Sequence, residues 1–366
     1  MLLRDGAFSD VCAAGEHCAE QDRALATLFT LGSSAEFSFA ALAGWSYDSL
    51  GPLVTAVLGE LSFLLGYGMI SLETPASLYL GHIVAGASTN LVSLPAMTLA
   101  GVYPDKANLM LSLTVAAQNC ATIVAPLMQR ATQYLDASFS VVLRGYLVGC
   151  LLPICVYWYL LPLKVSVLRR ITSRSFSECM LTGEAVGFTI WYCLCIMLYN
   201  AYYTTLGVTC GADVASIVGW LMPTQAVWSL LLGPLPSLLL CQILNACNVV
   251  FLTLPFVGYP ITSSLSGVVY VVASSSIFTT KFTFMAETFD GEHLGKLSGC
   301  VGLVSGLVLL LNVNLMGAFS EWQLLGGWGA TACLQALLVH WLTIKRKPAP
   351  HKHELHKNLL PPIQEA

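Results

Sequence analysis

Carboxylates inside long apolar runs are the residues of this sequence whose chemistry is simplest to interpret. Glu36, Glu60 and Glu184 each lie in such a run, where burying a charge is costly. A carboxylate in these surroundings can take up and release a proton, so all three are candidates for proton transfer. Glu184 lies one turn from a basic segment and can instead pair with it. Glu36 lies deepest and is our candidate for proton coupling.

Uncharged polar side chains in the apolar runs form a second set of candidates. They offer the few hydrogen-bonding groups that orient a small solute in an apolar cavity. The candidates are Asn90, Gln118, Asn119, Tyr199, Asn200, Tyr203, Gln242, Asn245 and Asn312. The alternative for the amides is hydrogen bonding between helices without solute contact. Tyr199 and Tyr203 share one helix face, but a tyrosine near a helix end also suits an interfacial aromatic belt.

Catalytic and metal-binding motifs find no support in the sequence. It has no H-E-x-x-H motif and no paired Asp in an apolar run, so we expect no enzyme and no catalytic residue. His351, His353 and His356 lie in a polar tail without a nearby Cys, which favours solvated side chains over a metal site. We expect no cofactor, no metal and no nucleic-acid partner.

The apolar runs that carry these residues predict an all-α membrane protein. Hydrophobic residues make up 56% of the 366 positions and charged residues 10%, too few charges for an ordinary soluble domain. The long runs do not alternate as barrel strands do, so helices are the spanning structure that remains. The eleven predicted spans cover residues 24–43, 52–70, 77–100, 108–128, 141–162, 182–204, 214–233, 236–256, 261–280, 298–318 and 323–344.

The placement of basic residues predicts the orientation. If the loop after the first span is cytoplasmic, twelve of the 16 Lys and Arg residues face the cytoplasm, as the positive-inside rule favours. The twelve are Lys106, Lys164, Arg169, Arg170, Arg174, Lys281, Lys296, Lys345, Arg346, Lys347, Lys352 and Lys357. The C-terminus is then cytoplasmic, and we expect a plasma-membrane protein in contact with the lipid bilayer.

The spans fall into two sets that the basic segment at 164–181 separates. We predict an outer loop at 1–23, five helices over 24–163, a cytoplasmic linker at 164–181, six helices over 182–344 and a disordered tail at 345–366. Transporters built from two six-helix halves bind their solute between the halves. A five-plus-six arrangement is expected when such a protein lacks its first helix.

Two cysteines precede the first predicted span. Cys12 and Cys18 would lie on the outer, oxidising side, where they can form a disulfide or remain two thiols. Cys210, in another predicted outer loop, is a competing partner.

The segment Gly44–Pro52 (GWSYDSLGP) resembles the signature loop G-x-x-x-D-x-x-G of the major facilitator superfamily. The resemblance implies a two-lobe helical bundle with eleven of twelve helices present, in which Gly44, Asp48 and Gly51 form part of a gate. Ser49, Pro52 and Leu53 replace the basic residues common in that loop, which weakens a charge-relay role. The alternative is a simple turn between two helices.

Two further segments are similar to one branch of this superfamily. Phe289–Gly299 (FDGEHLGKLSG) resembles F-P-x-x-H-F-G-x-L-x-G, and Leu94–Lys106 carries a similar Pro, aromatic and basic pattern. The branch contains the system-L-like facilitated amino-acid transporters and apicomplexan amino-acid transporters. It implies facilitated amino-acid transport by alternating access, with the polar candidates named above binding the solute. His82 stands where proton-coupled relatives have Arg, which favours uniport.

Two other functions stay open on the sequence alone. One is transport of a different small organic solute. The other is a truncated chain that binds a solute without transporting it, as a nutrient sensor does.

Overall fold

The computed structural model describes residues 7–9, 12, 18–97, 106–160, 175–289, 294–318 and 321–345. These residues are almost entirely helical, and no strand occurs among them. The first half of the chain contains α1 (Ala19–Ser38), α2 (Ala40–Leu50), α3 (Pro52–Ile70), α4 (Pro75–Ala96), α5 (Ala107–Cys120), α6 (Val124–Tyr134), α7 (Phe139–Gly149) and α8 (Leu152–Leu160). The second half contains α9 (Phe176–Met180), α10 (Gly183–Thr209), α11 (Ala212–Leu221), α12 (Gln225–Leu232), α13 (Ser237–Thr253), α14 (Pro260–Phe289), α15 (Leu294–Ala318) and α16 (Glu321–Lys345).

Helices long and apolar enough to cross a bilayer confirm the prediction of an all-α membrane protein. Within the described residues there are eight of them, each of 18 to 30 residues. Three further helices, α4, α15 and α16, have 22 to 25 residues. The number of eleven spans therefore stays a prediction.

Prolines interrupt some of these long helices. Proline lacks the amide hydrogen that the helix needs, and its ring collides with the preceding turn. A 3-10 turn at Ala121–Ile123 separates α5 from α6 just before Pro126. A second 3-10 turn, Met222–Thr224, contains Pro223 and separates α11 from α12. The two turns lie in different halves of the chain and contact each other.

Each half packs mostly against itself. In the first half, α4 packs against α1, α2 and α3. In the second half, α10, α13, α14 and α15 build a large core of buried aromatic and aliphatic side chains that includes Trp191, Tyr192 and Phe251. The halves meet along two lines: α15 packs against α1 and α2, and α5 packs against α12 and α14. Any site between the halves is therefore bordered by α1, α5, α14 and α15.

Cys12 and Cys18 form a disulfide in the structure, just before α1. Cys210 takes no part in this disulfide. Beside the disulfide, the Gln21 side chain donates a hydrogen bond of 2.7 Å to the carbonyl oxygen of Ala7. Phe8 is buried against Leu28 and other apolar residues of the first half. The described residues before α1 thus pack against the helical bundle.

Two sequence expectations about helix ends were wrong. Gly44 and Asp48 were expected in a loop, but α2 continues through both and ends at Leu50, so that Gly51 alone makes the turn to α3. Gly51 has a φ of 87°, which favours glycine, and Pro52 follows at the first helical position. Lys281 was expected in a cytoplasmic loop, but it lies inside α14 and only 1% of its surface is exposed.

Several sequence predictions fall outside the described residues. They are most of the linker (161–174), residues 98–105 of the Leu94–Lys106 segment, residues 290–293 of the Phe289–Gly299 segment, and the tail from 346 onward with its three histidines. The side chain of Asn312 also falls outside them, although its backbone belongs to α15.

Candidate functional site

The Gly44–Pro52 motif and the described part of the Phe289–Gly299 motif lie far apart in the chain. They contact each other where α2 crosses α15. A Cβ atom on Gly44 would overlap the carbonyl oxygen of Gly295, so the two backbones touch at this point. Gly299, Gly302 and Gly306 continue along the same face of α15 and leave no room for a side chain against α1 and α2. Glycines let helices approach this closely. The first motif therefore contacts the second half directly.

Asp48, a residue of α2, lies beside the N-terminal end of α15. Its Oδ1 atom would be 2.9 Å from a Cβ on Gly295, the second residue of that helix. The N-terminal end of a helix carries partial positive charge and attracts carboxylates. We call this part of the molecule the Asp48 end. The carboxylate of Asp48 stabilises contact between the halves here.

A pair of opposite charges lies deeper between the halves. Glu36, near the middle of the Ala24–Leu50 span, interacts electrostatically with Lys281 of α14. Glu36 is only partly buried although it lies at membrane depth, and Lys281 is fully buried.

Aromatic rings surround the Lys281 ammonium. Its Nζ atom lies 4.6 Å from the ring centroid of Phe282 and 5.6 Å from those of Phe278 and Tyr192. Phe37 of α1 stacks on Phe278, with centroids 6.0 Å apart and planes at 3°. These rings exclude water and leave cation–π attraction as a partial replacement for hydration.

The hydroxyl group of Tyr192 is a buried polar atom without a hydrogen-bond partner among the described residues. Tyr192 has no exposed surface, and it interacts electrostatically with Glu36. A buried hydroxyl without a partner costs free energy, so native proteins seldom keep one without a function. Tyr192 thus supplies a free donor beside the Glu36 and Lys281 pair.

Asn90 holds the backbone of α1 at the charged pair. Its side chain donates a hydrogen bond of 2.8 Å to the carbonyl oxygen of Glu36. About one turn after Glu36, the helix is interrupted at Phe39, between α1 and α2. Helix interruptions at membrane depth require another group to satisfy the freed backbone. Asn90, buried between the helices, plays this structural part.

Asn119 connects the halves along the second line of contact. Its side-chain nitrogen donates to Oγ of Ser229, at 2.8 Å, and to the carbonyl oxygen of Ser275, at 3.2 Å. Ser229 donates in turn to the same carbonyl, at 2.7 Å. A chain of hydrogen bonds thus joins α5 to α12 and α14.

The tyrosines of α10 occupy different surroundings. Tyr199 is buried among Phe251 and Tyr270, and its hydroxyl has no hydrogen-bond partner among the described residues. Tyr203 is partly buried and contacts Phe29 of α1 across the halves, with centroids 5.1 Å apart. Tyr203 thus lies at the boundary between the halves, whereas Tyr199 lies in the core of the second half.

The remaining amides are dispersed. Asn245 accepts a hydrogen bond of 2.9 Å from the indole of Trp191, inside the second half. Gln118 and Asn200 are partly buried, and Gln242 is exposed. The structure therefore brings Asn90 to Glu36 and Asn119 to the second half, but it does not gather all the predicted residues into one cluster.

The halves also touch at the end opposite Asp48. Besides the ring contact of Phe29 with Tyr203, the guanidinium of Arg130 in α6 lies 4.7 Å from the ring centroid of Trp220 in α11. Contacts between the halves thus occur at both ends, with the charged pair between them.

Sequence reasoning missed Lys281 and Tyr192. The signal for Lys281 was the absence of any helix breaker between residue 280 and Phe289, together with the apolar Phe282, Phe284 and Met285 that follow it. Tyr192 gave no signal, because a tyrosine in an apolar run is usually a core residue.

The site suits noncovalent binding of a charged or polar solute. It offers a carboxylate, an ammonium and a phenolic donor in apolar surroundings. In the described part of the chain no three His, Cys, Asp or Glu residues lie together as a metal site requires.

Comparisons with known proteins find similarity to proteins named as membrane transporters. No protein-family model matches it. It is 22% identical to Arginine transporter 1 of Toxoplasma gondii, an alignment that covers 87% of this chain and 77% of that protein. It is 25% identical to Cationic amino acid transporter 8 of Plasmodium vivax, over 39% of this chain and 26% of the relative. Amino acid transporter 6-1 of Toxoplasma gondii is 22% identical over 81% of this chain and 61% of that protein.

Solved structures show the fold. The proton:xylose symporter XylE of the major facilitator superfamily matches with a TM-score of 0.67 at 14% identity, covering 94% of this chain and 91% of its own. The human organic anion transporter MFSD10 matches with a TM-score of 0.62 at 13% identity, over 87% and 83% of the two chains. The chain is a multi-pass membrane protein with the major facilitator superfamily fold, which confirms the predicted fold class. The relatives and structural neighbours are named as transporters or symporters, in agreement with the prediction that the chain is not an enzyme.

Proposed function

We propose that this protein is a secondary transporter of amino acids that works by alternating access. The observation that carries the proposal is the electrostatic interaction of Glu36 from one half with Lys281 from the other, at membrane depth, where Phe37 stacks on Phe278. Charges at this depth are costly and usually serve a substrate or ion pathway. The similarity to proteins named as amino-acid transporters supplies the solute class.

The contacts between the halves suit alternating access. Gly44 with Gly295 joins them at the Asp48 end, and Phe29 with Tyr203 joins them at the opposite end. A solute between these contacts is reached from one side when one contact opens, and from the other side when the other opens. Transporters of this architecture move by rocking the halves around a central site.

The polar residues predicted from the sequence divide into two groups under this proposal. Gln118, Asn200, Tyr203 and Asn312 are proposed to contact the solute, and Tyr199, in the core of the second half, to support Tyr203 from behind. Asn90 and Asn119 are proposed to act by positioning, because their side-chain nitrogens already donate to protein groups. Gly44, Asp48 and Gly51 are proposed to form the gate.

Coupling and location complete the proposal. We propose facilitated transport without an ion gradient, in the plasma membrane, with the Asp48 end and the C-terminus in the cytoplasm. His82 supports uniport, since a histidine stands where proton-coupled relatives carry arginine. Proton coupling through Glu36 is the competing mechanism.

The experiment is uptake of radiolabelled amino acids by liposomes that contain the purified chain. We expect saturable uptake of at least one amino acid, counterflow when the vesicles are preloaded with it, and no dependence on an imposed pH gradient. Uptake driven by the gradient would replace facilitation with proton coupling. Binding of an amino acid without flux would indicate a sensor, and neither binding nor flux for all twenty would refute the proposal.

A further inference from the structure

We infer that Glu36 and Lys281 together bind the backbone groups of a zwitterionic α-amino acid, an inference that rests on the proposed function. The Glu36 carboxylate accepts the solute's α-ammonium, and the Lys281 ammonium donates to its α-carboxylate. The hydroxyl of Tyr192 donates to the same α-carboxylate. In the absence of solute the two side chains neutralise each other.

The first argument is the geometry of the pair. Glu36 and its neighbour Phe37 belong to α1, and Lys281 belongs to α14. The ring of Phe37 stacks on Phe278, one turn before Lys281, so the two charged residues approach the boundary between the halves from opposite sides. Glu36 is partly exposed, whereas Lys281 is buried with the rings of Phe278, Phe282 and Tyr192 around its ammonium. Under this inference the solute reaches Lys281 from the side of Glu36.

The second argument is the unused hydrogen-bonding capacity at this place. A lysine ammonium has three donors, and aromatic faces replace only part of its hydration. The Tyr192 hydroxyl lacks a partner among the described residues, and Tyr192 interacts electrostatically with Glu36. A carboxylate between Lys281 and Tyr192 would satisfy both donors. An internal pair that served only stability would be expected to satisfy its own surroundings.

The third argument is charge balance. Removing one partner from a buried pair of charges leaves the other uncompensated at high cost. A solute with a single charge would pair with one side chain and leave the second unpaired. A zwitterion supplies one charge of each sign, so that both side chains stay neutralised when it binds. This argument selects the α-amino acid backbone over a carboxylic acid, an amine or a sugar.

Binding of this kind also couples the solute to movement. A solute held by Glu36 and Lys281 bridges the two halves, because its ammonium contacts one and its carboxylate the other. It therefore stabilises conformations in which the halves are close together around it. This is the requirement for transport by alternating access.

The test compares Glu36→Gln and Lys281→Met with wild-type protein. Methionine keeps the length of lysine and suits an aromatic environment. The probes are the amino acid that wild-type protein takes up best, its methyl ester and its N-acetyl derivative. Half-saturation concentrations are measured by uptake in liposomes, and binding is measured separately by thermal stabilisation of the purified protein. Glu20→Gln and Lys345→Met, at exposed positions, are the matched controls.

We expect each variant to weaken binding of the amino acid by about 10-fold or more, as loss of a hydrogen bond to a charged group does. The two variants should also differ in which solute group they no longer recognise. Glu36→Gln should lose the preference for the free amine over the N-acetyl derivative, and Lys281→Met the preference for the free acid over the methyl ester. The controls should match wild-type protein.

The double variant Glu36→Gln with Lys281→Met separates binding from stability. If the pair only holds the helices together, the double variant should recover the uptake and thermal stability that the single variants lose. Under our inference it recovers stability but not binding.

The outcomes also separate this inference from the proposed function. Uptake by wild-type protein with unchanged ester and N-acetyl selectivity in both variants overturns the inference and leaves amino-acid transport intact. Binding with the predicted selectivity but without flux supports the inference and refutes transport. A double variant that regains wild-type uptake also overturns the inference.

Discussion

Gly44 of α2 and Gly295 of α15 are in backbone contact, although 251 positions separate them in the sequence of one chain. Neither glycine is needed for a positive φ, because both lie inside helices. Their lack of a side chain is needed for the approach itself. The two sequence motifs that contain them are therefore two sides of one contact between the halves.

Gly44→Ala should impair closure at the Asp48 end. The added Cβ would meet backbone atoms of Gly295, which cannot move aside as a flexible side chain can. We expect uptake to fall by about 10-fold or more, which corresponds to roughly 1.4 kcal/mol against the closed conformation. Uptake into liposomes and the thermal midpoint of the purified protein measure the effect.

The control for Gly44→Ala is Gly68→Ala in α3. A Cβ at Gly68 would meet nothing within 4 Å. We expect wild-type uptake and a stability gain of about 0.4–1 kcal/mol, because alanine restricts the unfolded chain. Full uptake by Gly44→Ala would contradict the assignment of this crossing to the gate.

Asn119→Leu should weaken the contact between α5 and the second half. The substitution removes the donors to Ser229 and Ser275 but leaves the bond from Ser229 to the Ser275 carbonyl in place. We expect a loss of about 0.6–1.7 kcal/mol, the range measured for hydrogen bonds between membrane helices. The maximal uptake rate should change, while the half-saturation concentration stays near that of wild-type protein.

Thr114→Val is the control for Asn119→Leu, because the Thr114 hydroxyl donates only within its own helix, to the carbonyl of Met110. A large rise in the half-saturation concentration of Asn119→Leu alone would show instead that Asn119 touches the solute, as the sequence predicts.

Cys12 and Cys18 provide a test of both the disulfide and the orientation. Without reduction, alkylation of the unfolded protein should label 11 cysteines, and after reduction 13. The crosslink should contribute about 2 kcal/mol to the segment it closes, on the chain-entropy model for a short loop. If this segment lies outside the cell, a membrane-impermeant reductant should reduce the disulfide in intact cells. Labelling of 13 cysteines without reduction would exclude the bond.

The fold followed from the sequence to a large extent, because long apolar runs have few structural solutions in a bilayer. Helix ends were less predictable. The apolar run of the first span weakens after Ala43, yet α2 continues to Leu50 because nothing before Gly51 breaks a helix. In the same way, the charge of Lys281 suggested the end of a span, although α14 continues to Phe289.

The contacts of the candidate site could not be predicted from the sequence, for a different reason. Glu36 stands out as a carboxylate in an apolar run, but its partner lies 245 positions away. Asn119 is recognisable as a buried amide, but only packing decides whether it meets a solute or Ser229. Sequence patterns report the depth of a residue in the membrane, whereas its neighbour depends on how the helices pack.

Asn90→Ala should disturb Glu36 without touching its carboxylate. The Asn90 side chain satisfies the carbonyl oxygen of Glu36 one turn before the interruption at Phe39. Without it, a partly buried carbonyl loses its partner, at a cost of about 1–3 kcal/mol, and α1 can shift. We expect a lower thermal midpoint and weaker amino-acid binding, with the preference for a free amine and a free acid retained because both charges remain.

Thr89→Val, next to Asn90 and bonded within its own helix to Ala85, is the control. Loss of that selectivity in Asn90→Ala would mean that Asn90 contacts the solute itself, and unchanged stability would mean that its hydrogen bond does not support the helix before the interruption at Phe39.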